Sequence, residues 1–266
     1  MAKIGIIGVG NMGYTILKGV LKIYGKKEIV FTEVNKKQAT KVLRETDTTF
    51  VDSDEACAAA AKYIVLAVKP QYYDPVLANI AGALTEENVV ISIAPGMSID
   101  YLKSKLGQDK RIVRAMPNTP ALLGEGMTGV SYDPALFDEE EKKVIISFFE
   151  SLGKMEILPE NLLDAVTCIS GSSPAFVYMF IEALADGGVK YGLPRDVAYT
   201  MAAQAVAGSA RMVLETEEHP GKLKDMVCSP GGTAITAVAT LEECGFRNAI
   251  IKAIDACYGK CLSLKE

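Results

Sequence analysis

A glycine-rich turn near the N-terminus constrains the fold of this chain more than any other feature. Gly8, Gly10 and Gly13 form a G-x-G-x-x-G pattern between an apolar run at residues 3–8 and a helical pattern that begins at residue 11. In this context the first glycine permits a tight turn, the second lets an anion approach the backbone, and the third allows close helix–strand packing. The pattern predicts that a dinucleotide pyrophosphate binds the N–H groups of the helix start. The alternative is a glycine-rich turn without a ligand.

The first 160 residues alternate apolar runs with helical patterns. Seven runs have the composition of buried strands: residues 3–8, 28–33, 63–68, 88–93, 111–115, 127–132 and 154–158. Helical patterns separate the early ones, at residues 11–24, 35–45, 53–61 and 71–84. Connections of this length return each strand parallel to its predecessor. The region therefore predicts an α/β fold with a Rossmann-like doubly wound sheet.

Residues from about 161 onward show helical patterns only, and we expect Gly187 and Gly188 to mark a helix end. Two segments, 174–188 and 198–214, are apolar around most of the helix circumference, which a surface helix of a small monomer does not tolerate. We predict a dinucleotide-binding domain at 1–160 and an all-α domain at 161–266 that completes its core in a homodimer. The alternative is a helix buried between two domains of one chain.

Composition excludes several classes of function. With 28 Lys and Arg against 33 Asp and Glu, the chain carries a net charge of −5, so a nucleic-acid partner is not expected. The clearest apolar run, residues 175–181, is far shorter than the roughly 20 residues that span a bilayer, and the N-terminus lacks a signal-peptide core. We therefore expect a cytoplasmic protein that has no membrane-spanning segment.

The cysteines and the single histidine do not form a recognisable metal motif. Six cysteines are scattered without a C-x-x-C pair, and His219 is the only histidine. Cys257 and Cys261 are four residues apart and can share a helix face, but two thiolates are fewer than a metal site usually has. The sequence therefore predicts reduced cysteines and no metal.

The segment after the second predicted strand bears on cofactor choice. Glu33 stands where an acidic residue hydrogen-bonds the ribose 2′-OH of NADH, whereas Asn35, Lys36 and Lys37 match the 2′-phosphate of NADPH. Two lysines and an amide suit a dianion better than a diol, so we expect NADPH, with NADH as the alternative. In that alternative the lysines form a solvated helix start.

The carboxyl ends of later strands complete the expected cofactor site, because ligands of doubly wound sheets bind at that edge. The segments "AVKP" at 67–70 and "ISIAPG" at 91–96 end two such strands. Alternatively, Lys69 is an ordinary surface lysine at the end of a strand. The expected cofactor contacts are Ile7, Gly8, Val9, Gly10, Asn11, Met12, Gly13, Asn35, Lys36, Ala67, Val68, Lys69, Pro70 and Ala94.

Longer strings carry a family resemblance. "RAMPNTPALLGEG" (114–126), "DAVTCISGSSPAFVYMFIEALADGGVKYGLPR" (164–195) and "EHPGKLKDMVCSPGGT" (218–233) resemble the Δ1-pyrroline-5-carboxylate reductase family, and the likeness runs from end to end. The resemblance implies NAD(P)H-dependent reduction of 1-pyrroline-5-carboxylate to L-proline, the last step of proline biosynthesis. It also implies a Rossmann domain and a helical domain that interlocks with its twin in a homodimer, which in some members assembles into a larger homo-oligomer.

The resemblance further implies roles for individual residues. Thr167 is similar to the hydroxyl that hydrogen-bonds the ring nitrogen, and Asn118 to a residue that lines the crevice between cofactor and substrate. The carboxylate-binding loop corresponds to Ser229, Gly231, Gly232 and Thr233. Three positions depart from the pattern. Pro95 follows Ala94 where relatives usually have two alanines before Gly96. Ala234 stands where several relatives have threonine, and Asp54 where some have asparagine near the adenosine ribose.

Physical chemistry leaves alternatives at two of these positions. The segment "SPGGT" opens a helix whose free N–H groups suit a carboxylate, but it also reads as an ordinary serine cap. Thr167 lies in an apolar helix, where a threonine often only bonds to the preceding turn. Two other functions compete with the reductase. One is a β-hydroxyacid-type dehydrogenase, for which Lys190 is the only early candidate lysine, and the other is a non-enzymatic dinucleotide-sensing dimer.

Overall fold

The computed structural model describes residues 2–263. Its described strands are β1 Ala2–Ile7, β2 Ile29–Thr32, β3 Thr49–Phe50, β4 Ala61–Leu66, β5 Val89–Ser92, β6 Arg111–Met116, β7 Gly126–Ser131 and β8 Gly153–Ile157. Its described helices are α1 Asn11–Val20, α2 Lys36–Thr46, α3 Asp54–Ala60, α4 Tyr73–Ala81, α5 Ile99–Leu106, α6 Glu139–Glu150, α7 Leu163–Val166, α8 Ser173–Lys190, α9 Arg195–Thr216, α10 Pro220–Val227, α11 Thr233–Glu243 and α12 Phe246–Ser263.

The strands form one sheet in the order β3-β2-β1-β4-β5-β6-β7-β8. β1 pairs in parallel with β2 on one side and with β4 on the other, so the chain winds outward in both directions from the junction of β1 and β4. This is the topological switch point of a doubly wound sheet. The predicted α/β class, with a Rossmann-like sheet followed by helices, is confirmed.

Two features of the sheet were not predicted. β3 is a two-residue edge strand without a pattern of its own. β7 runs antiparallel to β6, whereas β8 returns parallel to β7. The connection from β6 to β7 spans only residues 117–125, which is too short for the helical crossover that a parallel pair needs.

The central strands are buried on both faces because helices cover both sides of the sheet. Ile6 and Val65 enter one hydrophobic cluster, whereas their neighbours Ile7 and Ile64 enter a second cluster. All four side chains are at most 1% exposed. Burial of a side chain of this size contributes about 1.5–3 kcal/mol to folding. These clusters fix the carboxyl ends of β1, β2, β4 and β5.

By internal contacts the chain divides into two compact units. One comprises the residues up to Ser172 together with those from Cys257 onward, and the other comprises Ser173–Ala256. The predicted boundary at residue 160 also separates a cofactor-binding domain from a substrate-binding domain. Internal contacts do not test that assignment of function, so the boundary stays a prediction.

The second unit has little core of its own within this chain. Only the small side chains of Ala185, Ala198 and Ala202 form a buried cluster there. Many large apolar side chains of α8 and α9 are exposed, among them Val177, Tyr178, Met179, Leu184, Val197, Met201, Met212 and Leu214. Exposure of so many large apolar side chains on two helices indicates an interaction surface.

Gly187 and Gly188 lie inside α8, so the expectation that they end a helix is wrong. A Cβ at Gly188 would lie 3.1 Å from Leu193 Cδ1 and 3.4 Å from Ala198 Cβ. The glycine therefore permits close packing of the following turn and of α9. That packing offsets the roughly 1 kcal/mol that a glycine costs inside a helix.

One helical stretch of residues 2–263, Glu160–Lys190, is long and apolar enough to cross a membrane by length and composition alone. It has 31 residues, and its most apolar window has a mean hydropathy of 1.3. The sequence analysis considered the run 175–181 apart from the helical residues that precede and follow it, and the expected absence of a membrane-spanning segment stays a prediction. The exposed apolar surface of this stretch equally suits contact with a second subunit.

Candidate active site

Two glycines of the first turn are required by packing. A Cβ at Gly13 would lie 2.0 Å from the Gly8 carbonyl oxygen, a distance that no backbone adjustment relieves cheaply. Gly8 has φ +86°, and a Cβ there would lie 2.8 Å from Val68 Cγ1. The turn that joins β1 to α1 therefore needs glycine at both positions.

Gly10 differs, because no protein atom fills the space beside it. A Cβ at this position would meet nothing within 4 Å, and its φ of −64° suits any residue. Gly10 is the N-cap of α1, where no side chain caps the helix and the first turn holds no acidic residue. The N–H groups at this end are thus open to an anion. The residues present therefore fit the pyrophosphate of a dinucleotide.

A cavity of about 410 Å³ lies at the switch point beside this turn. Six of the predicted cofactor residues line it: Ile7, Gly8, Gly10, Ala67, Val68 and Lys69. Glu33 and Asp54, which the sequence analysis placed near the ribose, also line it. Six further lining residues were not predicted: Thr32, Val34, Tyr72, Pro75, Val76 and Asn79. Those from Tyr72 onward belong to the turn and helix after β4, which follow the strand end that the sequence identified. Asp54 Oδ2 accepts a hydrogen bond from Asn79 Nδ2 at 3.2 Å on this wall.

The other predicted cofactor residues lie around the cavity without lining it. They are Val9, Asn11, Met12, Gly13, Asn35, Lys36, Pro70 and Ala94. Val9 and Ala94 are buried, at 0% and 3% exposure. Contact between these residues and a cofactor stays a prediction.

Glu33 and Gln38 brace the glycine turn from the neighbouring strand and helix. Glu33 Oε2 accepts from the Val9 N–H at 2.9 Å, and Gln38 Nε2 donates to the Val9 carbonyl at 2.7 Å. Glu33 Oε1 also accepts from the Asn35 N–H at 2.9 Å. The sequence singled out Glu33 as a ribose ligand and missed Gln38, whose partner lies 29 residues earlier.

Asn35 is the N-cap of α2. Its Oδ1 accepts hydrogen bonds from the N–H groups of Lys37 at 3.1 Å and Gln38 at 3.3 Å. The carbonyl oxygen of the amide is therefore used by the helix, and its NH₂ group remains as a donor. Lys36 and Lys37 are exposed in the first turn of α2, next to the exposed Val34 that lines the cavity.

Tyr73 fixes the strand ends that carry the cavity wall. Its hydroxyl donates to the Leu66 carbonyl at 3.0 Å and lies 3.0 Å from Ser92 Oγ, thereby joining the carboxyl ends of β4 and β5. Burial raises the pKa of Tyr73 to about 12. The phenol therefore stays neutral at physiological pH and acts as a structural donor.

Thr167 begins a π-helical turn, Thr167–Gly171, between α7 and α8. Its carbonyl accepts from the Ser172 N–H at 2.8 Å, and its Oγ1 donates to the Leu163 carbonyl at 2.9 Å. The bond to the preceding turn, held above as an alternative, thus occurs. Since the hydroxyl proton is donated to Leu163, the lone pairs of the oxygen remain as acceptors. Such turns are frequent at functional sites, and the sequence did not predict this one.

Asn118 connects the loop after β6 to that turn. Its Nδ2 donates to the Ser170 carbonyl at 2.9 Å, and its Oδ1 accepts from the Met127 N–H at 2.9 Å. The side chain is 8% exposed. Asn118 therefore holds the π-helical turn against β7, and its predicted contact with substrate stays a prediction.

A buried ion cluster fixes α7 on the sheet. Arg114, which is 2% exposed, lies 3.1 Å from a Glu160 carboxylate oxygen and 3.3 Å from an Asp164 oxygen. Glu160 Oε1 also accepts from the Ile99 N–H at 2.7 Å. The cluster joins β6, the start of α5 and the helix that leads to Thr167. The sequence contained Arg114 in the string at 114–126 but gave no signal for its partners.

The predicted carboxylate loop joins α10 to α11 and is largely exposed. Gly231 has φ +68°, Gly232 is the N-cap of α11, and Thr233 is its first residue. No side chain caps this helix, and its first turn holds no acidic residue. The alternative of a serine cap at Ser229 is therefore wrong. A Cβ at Gly232 would lie 2.4 Å from Ser229 Oγ, so the hydroxyl packs directly on the helix start.

Comparisons with known proteins agree along the whole chain. A family model described as "Pyrroline-5-carboxylate reductase dimerisation" matches residues 160–264, and one described as "NADP oxidoreductase coenzyme F420-dependent" matches residues 3–96. The chain is 46% identical to the pyrroline-5-carboxylate reductase of Escherichia coli, over 99% of this chain and 98% of that protein. It is 43% identical to the Synechocystis pyrroline-5-carboxylate reductase, over 96% of each.

Solved structures give the same result. The crystal structure of Plasmodium falciparum pyrroline carboxylate reductase with NADP bound is 33% identical, with a TM-score of 0.90, and covers 100% of this chain and 98% of that chain. Because the identity to these relatives exceeds 30% over nearly its whole length, the chain belongs to the pyrroline-5-carboxylate reductase family.

Proposed function

We propose that this protein reduces 1-pyrroline-5-carboxylate to L-proline with NADPH, the last step of proline biosynthesis. The observation that carries the proposal is an uncapped helix start at the switch point of the sheet, in a chain whose family likeness spans nearly every residue. Reduction adds a hydride to the imine carbon and leaves an N–H on the ring nitrogen. NADPH supplies the hydride when bound.

NADPH is the proposed cofactor, with NADH as the weaker alternative. Lys36 and Lys37 are exposed at the start of α2, and the Asn35 NH₂ group remains as a donor, which suits a 2′-phosphate. Both Glu33 oxygens already accept backbone N–H groups, so a ribose hydroxyl would have to share them. The relative from Plasmodium falciparum was solved with NADP bound, which supports the same choice.

Thr167 is proposed to hold the ring nitrogen. The Thr167 hydroxyl donates to Leu163, so it meets the substrate as an acceptor and favours the protonated imine, whose N–H it can bind. A protonated C=N bond takes up hydride more readily, because its π electrons move onto a positive nitrogen. Asn118 would line the crevice between cofactor and substrate and keep the π-helical turn in place through Ser170.

The start of α11 is proposed to bind the substrate carboxylate. Gly231 and Gly232 leave the backbone accessible, and the hydroxyls of Ser229 and Thr233 flank the uncapped N–H groups. This arrangement needs no arginine. With Ala234 in place of threonine, Thr233 supplies the hydroxyl on the helix side of the clamp.

We propose that the functional division falls at residue 160, with 1–160 binding the cofactor and 161–266 binding substrate and forming a homodimer. The family model that matches residues 160–264 describes dimerisation, and α8 and α9 expose apolar side chains that a second copy would cover. Assembly of dimers into a larger oligomer, a cytoplasmic location and the absence of nucleic-acid or membrane partners complete the proposal.

The reaction is tested by following the near-ultraviolet absorbance of the reduced nicotinamide with 1-pyrroline-5-carboxylate at neutral pH. The proposal predicts substrate-dependent oxidation of both cofactors, with a higher kcat/KM for NADPH. A folded protein that binds NADPH but does not oxidise it with this substrate would contradict the proposal. Light scattering on the same sample tests the dimer, since a monomer at assay concentration would contradict it.

A further inference from the structure

Three cysteine thiols converge at one point of the first compact unit. Cys168 lies in the π-helical turn, and Cys257 and Cys261 lie one turn apart on α12. Their Sγ atoms all lie within 4.8 Å of one another. Cys168 and Cys261 are buried and Cys257 is half-buried. The sequence interpretation gave no metal because it counted only the pair on α12. The third thiol comes from a segment far earlier in the chain.

The spacing of the three sulfurs is close to that of a metal site. Thiolates bound to zinc at about 2.3 Å in tetrahedral geometry are about 3.8 Å apart. Sγ atoms that lie within 4.8 Å of one another need to approach by at most about 1 Å per pair, which rotation of the side chains provides. Residues at i and i+4 share a helix face, so Cys257 and Cys261 already point to the same side.

The present partners of these thiols are weak and easily exchanged. Cys168 Sγ donates to the Asp164 carbonyl at 3.3 Å, and Cys257 Sγ donates to Ser172 Oγ at 3.3 Å. An S–H group is a weak hydrogen-bond donor, so little hydrogen-bond energy is lost when a cation replaces the proton. Since Cys257 is half-buried, it offers an entry path from solvent.

Metal binding does not require free thiolates beforehand. A thiophilic metal ion displaces the proton of a thiol directly, because a coordinating thiol is deprotonated outright.

We propose that Cys168, Cys257 and Cys261 form a binding site for a thiophilic divalent cation of the size and charge of Zn²⁺. Water would be the fourth ligand. Soft thiolate donors select such ions. Each thiol that ligates the ion releases its proton to solvent. The bound ion would fasten α12 to the π-helical turn that begins at Thr167. The proposal concerns the site itself and does not depend on the proposed reaction.

The test uses the full-length protein, reduced with a phosphine and freed of metal, and titrated with Co²⁺ and then with Zn²⁺ against a chromophoric chelator. We expect thiolate-to-cobalt charge-transfer absorption that saturates at one ion per chain and disappears when Zn²⁺ is added. Cys257→Ser and Cys257→Ala should each abolish this absorption and weaken Zn²⁺ binding roughly 100-fold or more. The half-buried position of Cys257 makes both variants tolerable to the fold.

Cys244→Ser is the matched control, since Cys244 is exposed at the end of α11 and lies outside the cluster. It should bind both ions as the wild type does. Two results would overturn the proposal: a wild-type protein without charge-transfer absorption, or Cys257 variants that keep the wild-type affinity for Zn²⁺. Thermal melting of each variant verifies that a loss of binding is not a loss of folding.

Discussion

Two helix starts in this molecule have the same chemistry and different surroundings. α1 and α11 both begin after a glycine N-cap, without a capping side chain and without an acidic residue in the first turn. Around α1, Gly8 and Gly13 are required by protein atoms, since a Cβ at Gly13 would meet the Gly8 carbonyl at 2.0 Å and one at Gly8 would meet Val68 at 2.8 Å. Around α11 the loop is largely exposed, and the close contact at Gly232 is with the hydroxyl of Ser229.

The difference shows how much of each proposed site a single chain forms by itself. The first proposed anion site lies at the switch point of a sheet whose central strands are buried on both faces, so the fold of one chain determines its shape. The second lies in a unit whose buried cluster consists of three alanines and whose large apolar side chains are exposed. We infer that the first site is formed by the monomer fold, whereas the second gains its rigidity in the proposed dimer.

The largest expected effect comes from breaking the first site at Gly13. Gly13→Ala places a methyl group against the Gly8 carbonyl, so we expect about 3 kcal/mol of destabilisation and loss of NADPH binding. Gly10→Ala is the matched variant, because its Cβ meets no protein atom. It should unfold within about 1 kcal/mol of wild type yet bind NADPH roughly 10- to 100-fold more weakly. Thermal melting and NADPH fluorescence measure both quantities, and equal NADPH affinity in Gly10→Ala would show that the pyrophosphate lies elsewhere.

The next largest effect is expected at Thr167, which lies at the start of neither α1 nor α11. Its substitution therefore separates catalysis from binding of the anionic groups. Thr167→Ala removes the proposed acceptor for the ring N–H, so kcat should fall roughly 10- to 100-fold with the Kd for NADPH unchanged. Thr167→Ser should keep most activity. Thr200→Ala is a control, since Thr200 makes the same bond to its own preceding turn at an exposed position of α9. Wild-type turnover in Thr167→Ala would remove this residue from the mechanism.

A smaller effect is expected at the second helix start. Ser229→Ala removes one hydroxyl from the carboxylate clamp and leaves the helix N–H groups, so KM for 1-pyrroline-5-carboxylate should rise roughly tenfold with little change in kcat. Ser209→Ala, at an exposed serine of α9 that bonds to the Ala205 carbonyl, provides the comparison. An unchanged KM would place the clamp elsewhere.

The smallest effect concerns cofactor choice at the edge of the first site. The double variant Lys36→Ala/Lys37→Ala removes two exposed charges beside the proposed 2′-phosphate, which should lower kcat/KM for NADPH about threefold to tenfold and leave NADH unchanged. Lys41→Ala removes a like charge one turn further along α2. Parallel losses with both cofactors would contradict a role in recognising the phosphate.

The sequence predicted the parts of the molecule that are encoded locally. The glycine turn, the strands that flank it and the uncapped start of α11 follow from short-range patterns, and the structure confirms their positions. The family resemblance then named residues in both units. Local patterns also located the strand ends at Ala67 and Val68, which line the cavity.

What the sequence missed depends on contacts between distant residues. Gln38 supports Val9 from 29 positions away, and Arg114 finds Asp164 across 50. The π-helical turn at Thr167 has no signature in the apolar pattern of the sequence, because five residues are too few to change the periodicity of the helical segment around it. The thiol cluster was missed for the same reason, since Cys168 joins the two cysteines of α12 only in the folded chain.

The central claim is that the chain transfers a hydride from a nicotinamide to the imine carbon of a cyclic amino acid. The most direct measurement is mass spectrometry of the product formed from 1-pyrroline-5-carboxylate with NADPH deuterated at the transferring position. The account predicts L-proline that carries one deuterium on the ring carbon next to nitrogen, in step with the NADP⁺ formed. Oxidation of the cofactor without labelled proline, or no product from a protein that binds the cofactor, would contradict it.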